Sequence, residues 1–300
     1  MNQQRTRTTH LLFTCLLAIA PMIASASTLE RVRASHTLTL GYLANFAPFS
    51  VQTGDNANGY AIDLCLKVAD KLKNELGLPT LQVRYQPVAN DDEMLAVSSG
   101  KVDILCTPTP PTLARRQRVS YSIPIYTAGL SAVVRQDASE SLLNVLDGKV
   151  ARTGPTWRAT VNHGLSNQTY ATTAGGITEA WIRQQMQLLG VVSSLVTVPD
   201  TAAGLKLVAE GQADAFFAER MLLSNLLANQ PAANLVLLDR VFEYSPTAMA
   251  LAREDEDWRL LVDTVLSEMY RSGEIEQAYA KHLGGVGETA KKLFKVYAIP

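Results

Sequence analysis

Met94-Leu95-Ala96-Val97-Ser98-Ser99-Gly100-Lys101-Val102-Asp103-Ile104 and Lys206-Leu207-Val208-Ala209-Glu210-Gly211-Gln212-Ala213-Asp214-Ala215 share one pattern. In each, an apolar helical face closes on a glycine, which takes the left-handed cap conformation without a Cβ penalty. An acidic residue follows as the next strand begins, so the chain is expected to contain two similar lobes. Outward from the first copy, Leu38 to Tyr42 alternates like a strand. After the turn signal Asn58-Gly59, the residues Ile62, Cys65, Leu66, Ala69, Leu72 and Leu76 fall on one helical face that stops at Gly77. Leu81 to Tyr85 and Val102 to Cys106 read as short strands, linked by a helical stretch over Glu93 to Ser99. Around the second copy, Val150-Ala151-Arg152 reads as a strand, Thr178 to Leu189 as a helix and Val192 to Val198 as a strand. Strand, helix, strand implies right-handed crossovers, so the fold class is α/β, each lobe a mixed, mainly parallel sheet flanked by helices. Trp258, Leu261, Val262, Val265, Leu266 and Met269 form an amphipathic helix, and Ile275, Tyr279 and Leu283 a shorter one. The tail around Lys291 to Lys295 is read as a packed terminal helix.

The bulk properties agree with a globular chain large enough for one large core or two smaller ones: 300 residues, 47% hydrophobic, 18% charged, with a formal net charge of -1. With 27 basic against 28 acidic residues there is no excess to neutralise phosphates, so nucleic acid is not expected as a partner. Arg5 and Arg7 precede the apolar run Leu11 to Ala20, which ends near Ala24-Ser25-Ala26. Positive, apolar, then small-x-small is the order of a secretory signal peptide, assigned to residues 1–26 with cleavage after Ala26. Cys15 sits inside the apolar run rather than at its end, which argues against lipid anchoring. Beyond residue 26 no apolar run is long enough to cross a bilayer, and the mature chain is expected in the periplasm. There Cys65 and Cys106 have only each other to pair with; a disulfide is expected, with two buried thiols as the other reading. The four histidines, His10, His36, His163 and His282, lack metal-ligand spacing, and no cofactor motif is present.

In order along the chain come Leu38-Thr39-Leu40-Gly41-Tyr42, Ala47-Pro48-Phe49, Gly59-Tyr60-Ala61-Ile62-Asp63-Leu64-Cys65 and Ser99-Gly100-Lys101-Val102-Asp103. Then follow Thr112-Leu113-Ala114-Arg115-Arg116-Gln117, Val119-Ser120-Tyr121-Ser122 and Ala213-Asp214-Ala215-Phe216-Phe217-Ala218-Glu219. Over residues 28 to 285 this series resembles the polar amino-acid group of bacterial periplasmic solute-binding proteins, family 3. The resemblance implies a type II-like fold: two α/β lobes joined by two crossing strands, closing on a ligand by a hinge motion. It places the first lobe at 28–130 plus 249–300 and the second at 131–248. It also implies a monomer that delivers an amino acid or related polar solute to the membrane subunits of an ABC transporter, with no cofactor.

A free amino acid is a dipolar ion, so a cleft that excludes water must supply a cation for its carboxylate and an anion for its ammonium. By resemblance, Arg115 of the first lobe is the carboxylate ligand and Glu219 of the second the ammonium ligand. Phe46 matches an aromatic that covers the ligand side chain, with a core ring as its other reading. Thr156 matches a threonine that holds the carboxylate, or else caps a helix. Thr109 and Thr112 belong to the same candidate set. Three departures bear on the ligand. Pro110 replaces a Ser or Thr and removes its donors, Glu219 is one methylene longer than the usual aspartate, and Glu93 stands where relatives selecting acidic side chains carry arginine. If Glu93 faces the cleft, it repels an acidic ligand and favours a cationic or neutral polar one, whereas on the surface it is one more solvated charge beside Asp91 and Asp92.

Two other classes compete. A periplasmic cyclohexadienyl dehydratase resembles these binding proteins, but it carries a glutamate three residues beyond the position matched to Glu219, where this chain has Leu222, which cannot transfer a proton. A sensory or accessory binding module is the third reading. The chain is expected not to be an enzyme.

Overall fold

The computed structural model describes residues 26–150, 157–229 and 234–300. The signal-peptide segment therefore lies outside the described residues but for Ala26, and Thr156 and most of the strand expected at Val150–Arg152 lie outside them too. Among the described residues no helix is long and apolar enough to cross a membrane.

The chain opens with α1 (Thr28–Ser35), β1 (Thr37–Tyr42), the small antiparallel strands β2 (Asn45–Phe46), β3 (Ser50–Thr53) and β4 (Asn56–Asn58), and α2 (Tyr60–Glu75). Next come β5 (Gln82–Pro87), α3 (Glu93–Ser98), β6 (Ile104–Thr109) and α4 (Leu113–Arg116). The long strand β7 (Ser120–Arg135) carries the chain into the second lobe, built from α5 (Glu140–Leu146), α6 (Trp157–Leu165), β8 (Thr169–Thr173), α7 (Ile177–Leu189), β9 (Ser194–Val198), α8 (Thr201–Ala209), β10 (Ala215–Glu219), α9 (Arg220–Asn229) and β11 (Leu235–Leu237). It returns along β12 (Glu243–Leu251) to α10 (Glu256–Ser272), α11 (Glu274–Leu283) and α12 (Glu288–Tyr297).

Both lobes share one sheet, in the order β5-β1-β6-β12-β7-β10-β8-β9, with β11 also on β7. In the first lobe β1 is parallel to β5 and β6, and in the second β8 is parallel to β9 and β10. Between them β7 and β12 pair antiparallel from Ser120 to Leu130 and Glu243 to Leu251. The inner strands β1, β6, β8 and β10 are buried on both faces, so alternate side chains enter opposite cores. Along β6, Ile104 and Cys106 join the core of α2, α10 and α11, while Leu105 joins the one beneath α3. Along β10, Ala215 and Phe217 pack with Ile182 of α7, while Phe216 and Ala218 pack with Val208 and Leu223 of α8 and α9.

The repeated sequence pattern has a structural cause. Gly100 and Gly211 have φ of 72° and 74°, as the helix stops require. Asp103 Oδ2 accepts a 2.8 Å hydrogen bond from the Thr39 amide at the start of β1, and Asp214 Oδ2 one of 2.7 Å from the Thr169 amide at the start of β8. Each acidic residue thus fastens the N-terminal end of a neighbouring parallel strand, satisfying a backbone donor that the ladder leaves free. Cys65 on α2 and Cys106 on β6 form a disulfide with Cα atoms 6.1 Å apart. The bond ties the helix layer to the strand whose next residues, Thr107 to Pro110, wall the space between the lobes. The C-terminal α12 packs through Phe294 onto Tyr270 and Tyr279, and its Tyr297 hydroxyl lies 2.8 Å from Thr127 Oγ1 on β7.

Candidate functional site

The carboxyl ends of the parallel strands of both lobes point at one another, the location where open α/β sheets place ligands. A compartment of about 390 Å³ lies there. The first lobe lines it with Phe46, Glu93, Thr107 to Pro110 and Arg115, and the second with Thr173 to Thr178, Asp200, Glu219 and Leu222. It runs into a more apolar compartment of about 640 Å³, which shares Phe46, Pro108, Pro110 and Glu219 and adds Pro111, Thr112, Leu130, Trp181 and Glu243. A separate cavity of about 590 Å³ inside the second lobe has no carboxylate among its described lining residues.

Arg115 sits on α4, whose start is fixed by Thr112: its Oγ1 accepts from the Arg115 amide at 3.2 Å. Arg115 Nη1 donates to the Pro110 carbonyl at 3.3 Å. The guanidinium forms no ion pair among the described residues, so its remaining donors are available to a carboxylate in the cleft. Pro110 supplies no donor of its own. Thr109 Oγ1 donates to the Thr107 carbonyl at 3.3 Å, whereas Thr107 Oγ1 is buried and has no hydrogen-bond partner among the described residues.

Glu219 ends β10 at the entry to α9, and Tyr126 and Gly129 of β7 hold it together with the helix start. Its Oε2 accepts from the Leu222 amide at 3.0 Å, and its Oε1 from the Tyr126 hydroxyl at 3.0 Å and the Gly129 amide at 3.4 Å. Burial raises its pKa, and these hydrogen bonds oppose the rise. Glu219 therefore caps a helix and grips a strand common to both lobes while presenting a carboxylate to the cleft.

Glu93, the first residue of α3, faces the cleft and is 7% exposed. Among the described residues it accepts no hydrogen bond. Burial pushes its pKa up to about 7 and the Arg115 guanidinium pulls it back. The folded state thus holds a proton that the unfolded chain, at the ordinary 4.5, releases. The stabilisation from protonated Glu93 is complete below about pH 4.5 and lost as pH rises through about 7. Glu93→Gln is expected to stabilise the unliganded protein by up to about 3 kcal/mol at pH 8, and to change it little at pH 4, in urea unfolding at the two pH values.

Phe46 both lines the cleft and packs against the core. Its ring lies 5.5 Å from that of Phe49, at the head of a run of aromatic contacts through Tyr126 and Tyr279 to Phe294. The cleft thus gathers Arg115, Glu219, Glu93, Phe46 and Thr109, with Thr112 in the adjoining compartment. Sequence reasoning missed the wall Thr173-Ala174-Gly175-Gly176 at the end of β8. Its signal was a glycine pair just before a helical face. Gly175 has φ of 71°, and a Cβ there would lie 2.9 Å from Asp91 Oδ1, so the lobes already approach closely at this edge.

Two α/β lobes sharing two long strands, with a guanidinium and a carboxylate lining the crevice from opposite sides, define a hinged solute-binding protein. The chain matches bacterial extracellular solute-binding proteins, family 3, over residues 38–285, and it belongs to that family. Among its relatives is the L-glutamate/L-aspartate-binding protein of Pseudomonas aeruginosa, 26% identical over 88% of this chain and 83% of the relative. Another is the L-cystine-binding protein TcyJ of Escherichia coli, 22% identical over 87% of this chain and 88% of the relative. The fold matches the crystal structure of an ancestral amino acid-binding protein, AncCDT-1, a precursor of cyclohexadienyl dehydratase. That match has a TM-score of 0.68 and 22% identity, over 86% of this chain and 99% of the other.

Proposed function

We propose that the chain is exported to the periplasm by its first 26 residues, captures a small amino-acid-like solute between its lobes and delivers it as a monomer to the membrane subunits of an ABC importer. In this reading the lobes divide at 28–130 plus 249–300 and 131–248. The observation that carries it is the convergence of Arg115 and Glu219, from opposite lobes, on one cleft. A dipolar solute that pairs with both favours the closed arrangement, because its differential contacts exist only when the lobes meet. Phe46 would cover the solute, and Thr109, Thr112 and Thr156 would shape the carboxylate end. Catalysis is not part of the proposal: the position that would need a general acid is the buried Leu222, whose amide already serves Glu219.

The test is a thermal-shift screen of the mature chain against amino acids, amines, organic acids and a cyclohexadienyl acid. A solute at a hundred times its Kd stabilises by roughly 2.7 kcal/mol, which a melting curve registers. A shift with at least one amino acid and no turnover of the cyclohexadienyl acid is expected. No shift with any compound defeats the binding reading, and turnover defeats the non-enzymatic one.

A further inference from the structure

Resting on the binding function just proposed, we infer that the cleft selects amino acids with a cationic side chain, and that Glu93 is the residue that reads that charge. Among the described residues, the titratable groups lining the inner compartment are Asp91, Glu93, Asp200 and Glu219, with Arg115 as the one cation. An acidic amino acid would bring a second carboxylate into a cleft already rich in them; a cationic one reduces the imbalance.

The carboxylates are not equivalent. Asp200 is the N-cap of α8, its Oδ1 accepting from the Ala203 amide at 2.8 Å, and it stands among exposed residues. Asp91 is exposed at the edge where the lobes approach. Glu219 accepts three hydrogen bonds from its own protein. Of these four, Glu93 is the one that is deeply buried and, among the described residues, accepts no hydrogen bond. A buried carboxylate without donors is costly, and burial accordingly raises its pKa. A ligand ammonium or guanidinium supplies both the charge and the donors that Glu93 lacks. The Arg115 guanidinium acts on Glu93 through its charge but, among the described residues, forms no ion pair or hydrogen bond with it, so the acceptor sites of Glu93 stay open to a ligand. Division of labour follows: Arg115 takes the α-carboxylate, Glu219 the α-ammonium, and Glu93 the far end of the side chain.

The experiment is isothermal titration calorimetry at pH 7.5 with L-lysine, L-arginine, L-glutamine and L-glutamate on the wild-type chain, Glu93→Gln and Glu93→Asp. Expected for the wild type is at least tenfold tighter binding of lysine or arginine than of glutamine, and no measurable binding of glutamate. Glu93→Gln should weaken the cationic ligands by about thirtyfold or more while glutamine stays within about threefold. Glu93→Asp, which keeps the charge, should retain part of the preference and serves as the charged control if the Gln variant misfolds. Equal or tighter binding of glutamine or glutamate by the wild type overturns the inference, as does a Glu93→Gln variant with unchanged lysine and arginine affinity. Either result leaves the general binding function standing. Failure of all four ligands removes this inference, and the broader solute screen then decides the function.

Discussion

Arg115→Ala is expected to weaken solute binding by roughly thirtyfold to a few thousandfold, the range for removing one partner of a buried, hydrogen-bonded charge pair. Without a solute the side chain contributes little to the fold. Among the described residues it makes one intramolecular hydrogen bond, to the Pro110 carbonyl, and it lines the cleft together with the carboxylates of Asp91, Glu93, Asp200 and Glu219. Fold stability should therefore change little, and the melting temperature of the unliganded variant should stay within a few degrees of the wild type. Arg116, on the same short helix with its guanidinium over the Tyr121 ring at 5.7 Å, is the control, because it lies outside the cleft lining. Arg116→Ala should bind the solute within about threefold of wild type. Calorimetric titration decides both; an Arg115→Ala variant with wild-type affinity would remove the carboxylate assignment altogether.

The second large effect is structural. Replacing Cys65 and Cys106 by serine opens a loop closed across a sequence separation of 41 residues. Chain entropy alone assigns such a loop about 4 kcal/mol, and a protein of this size loses roughly 2–4 °C of melting temperature per kcal/mol. A fall of about 10 °C is expected in the wild type under reductant, and at least as large a fall in the double variant. Both cysteines lie in the fully buried core of the first lobe, so the hydroxyls add a desolvation cost in the serine variant. A melting temperature unchanged by either treatment would show that the bond contributes nothing to stability.

Much of this architecture was legible because its determinants are local. Glycine stops followed by an aspartate marked both lobes, and the structure gives the aspartate a backbone donor to hold in each case. What escaped notice depends on contacts distant in sequence. β8 reads Thr-Tyr-Ala-Thr-Thr, with no alternation, because both faces are covered and small residues suffice there. The cleft wall that follows it was missed with it. Tyr126 was not singled out either, because its role comes from Glu219, brought to it across the β7–β10 ladder. Burial of Glu93 likewise cannot be inferred from its neighbours: Asp91 and Asp92 are exposed, and only the packing of α3 turns the next residue inward.

The shared strands of the sheet set the mechanics of closure. With β7 and β12 paired across the junction, the lobes cannot swivel on slack linkers; they must flex a continuous ribbon, as a leaf spring does. The ribbon is softest where its register shifts between Thr247 and Ala250, and where Pro246, lacking an amide hydrogen, faces Thr127. That same Thr127 is gripped by Tyr297 of the C-terminal helix. A bulky tag or surface tether fused after Pro300 would therefore load the spring directly, and should alter how fast the jaws reopen even though it sits far from the cargo.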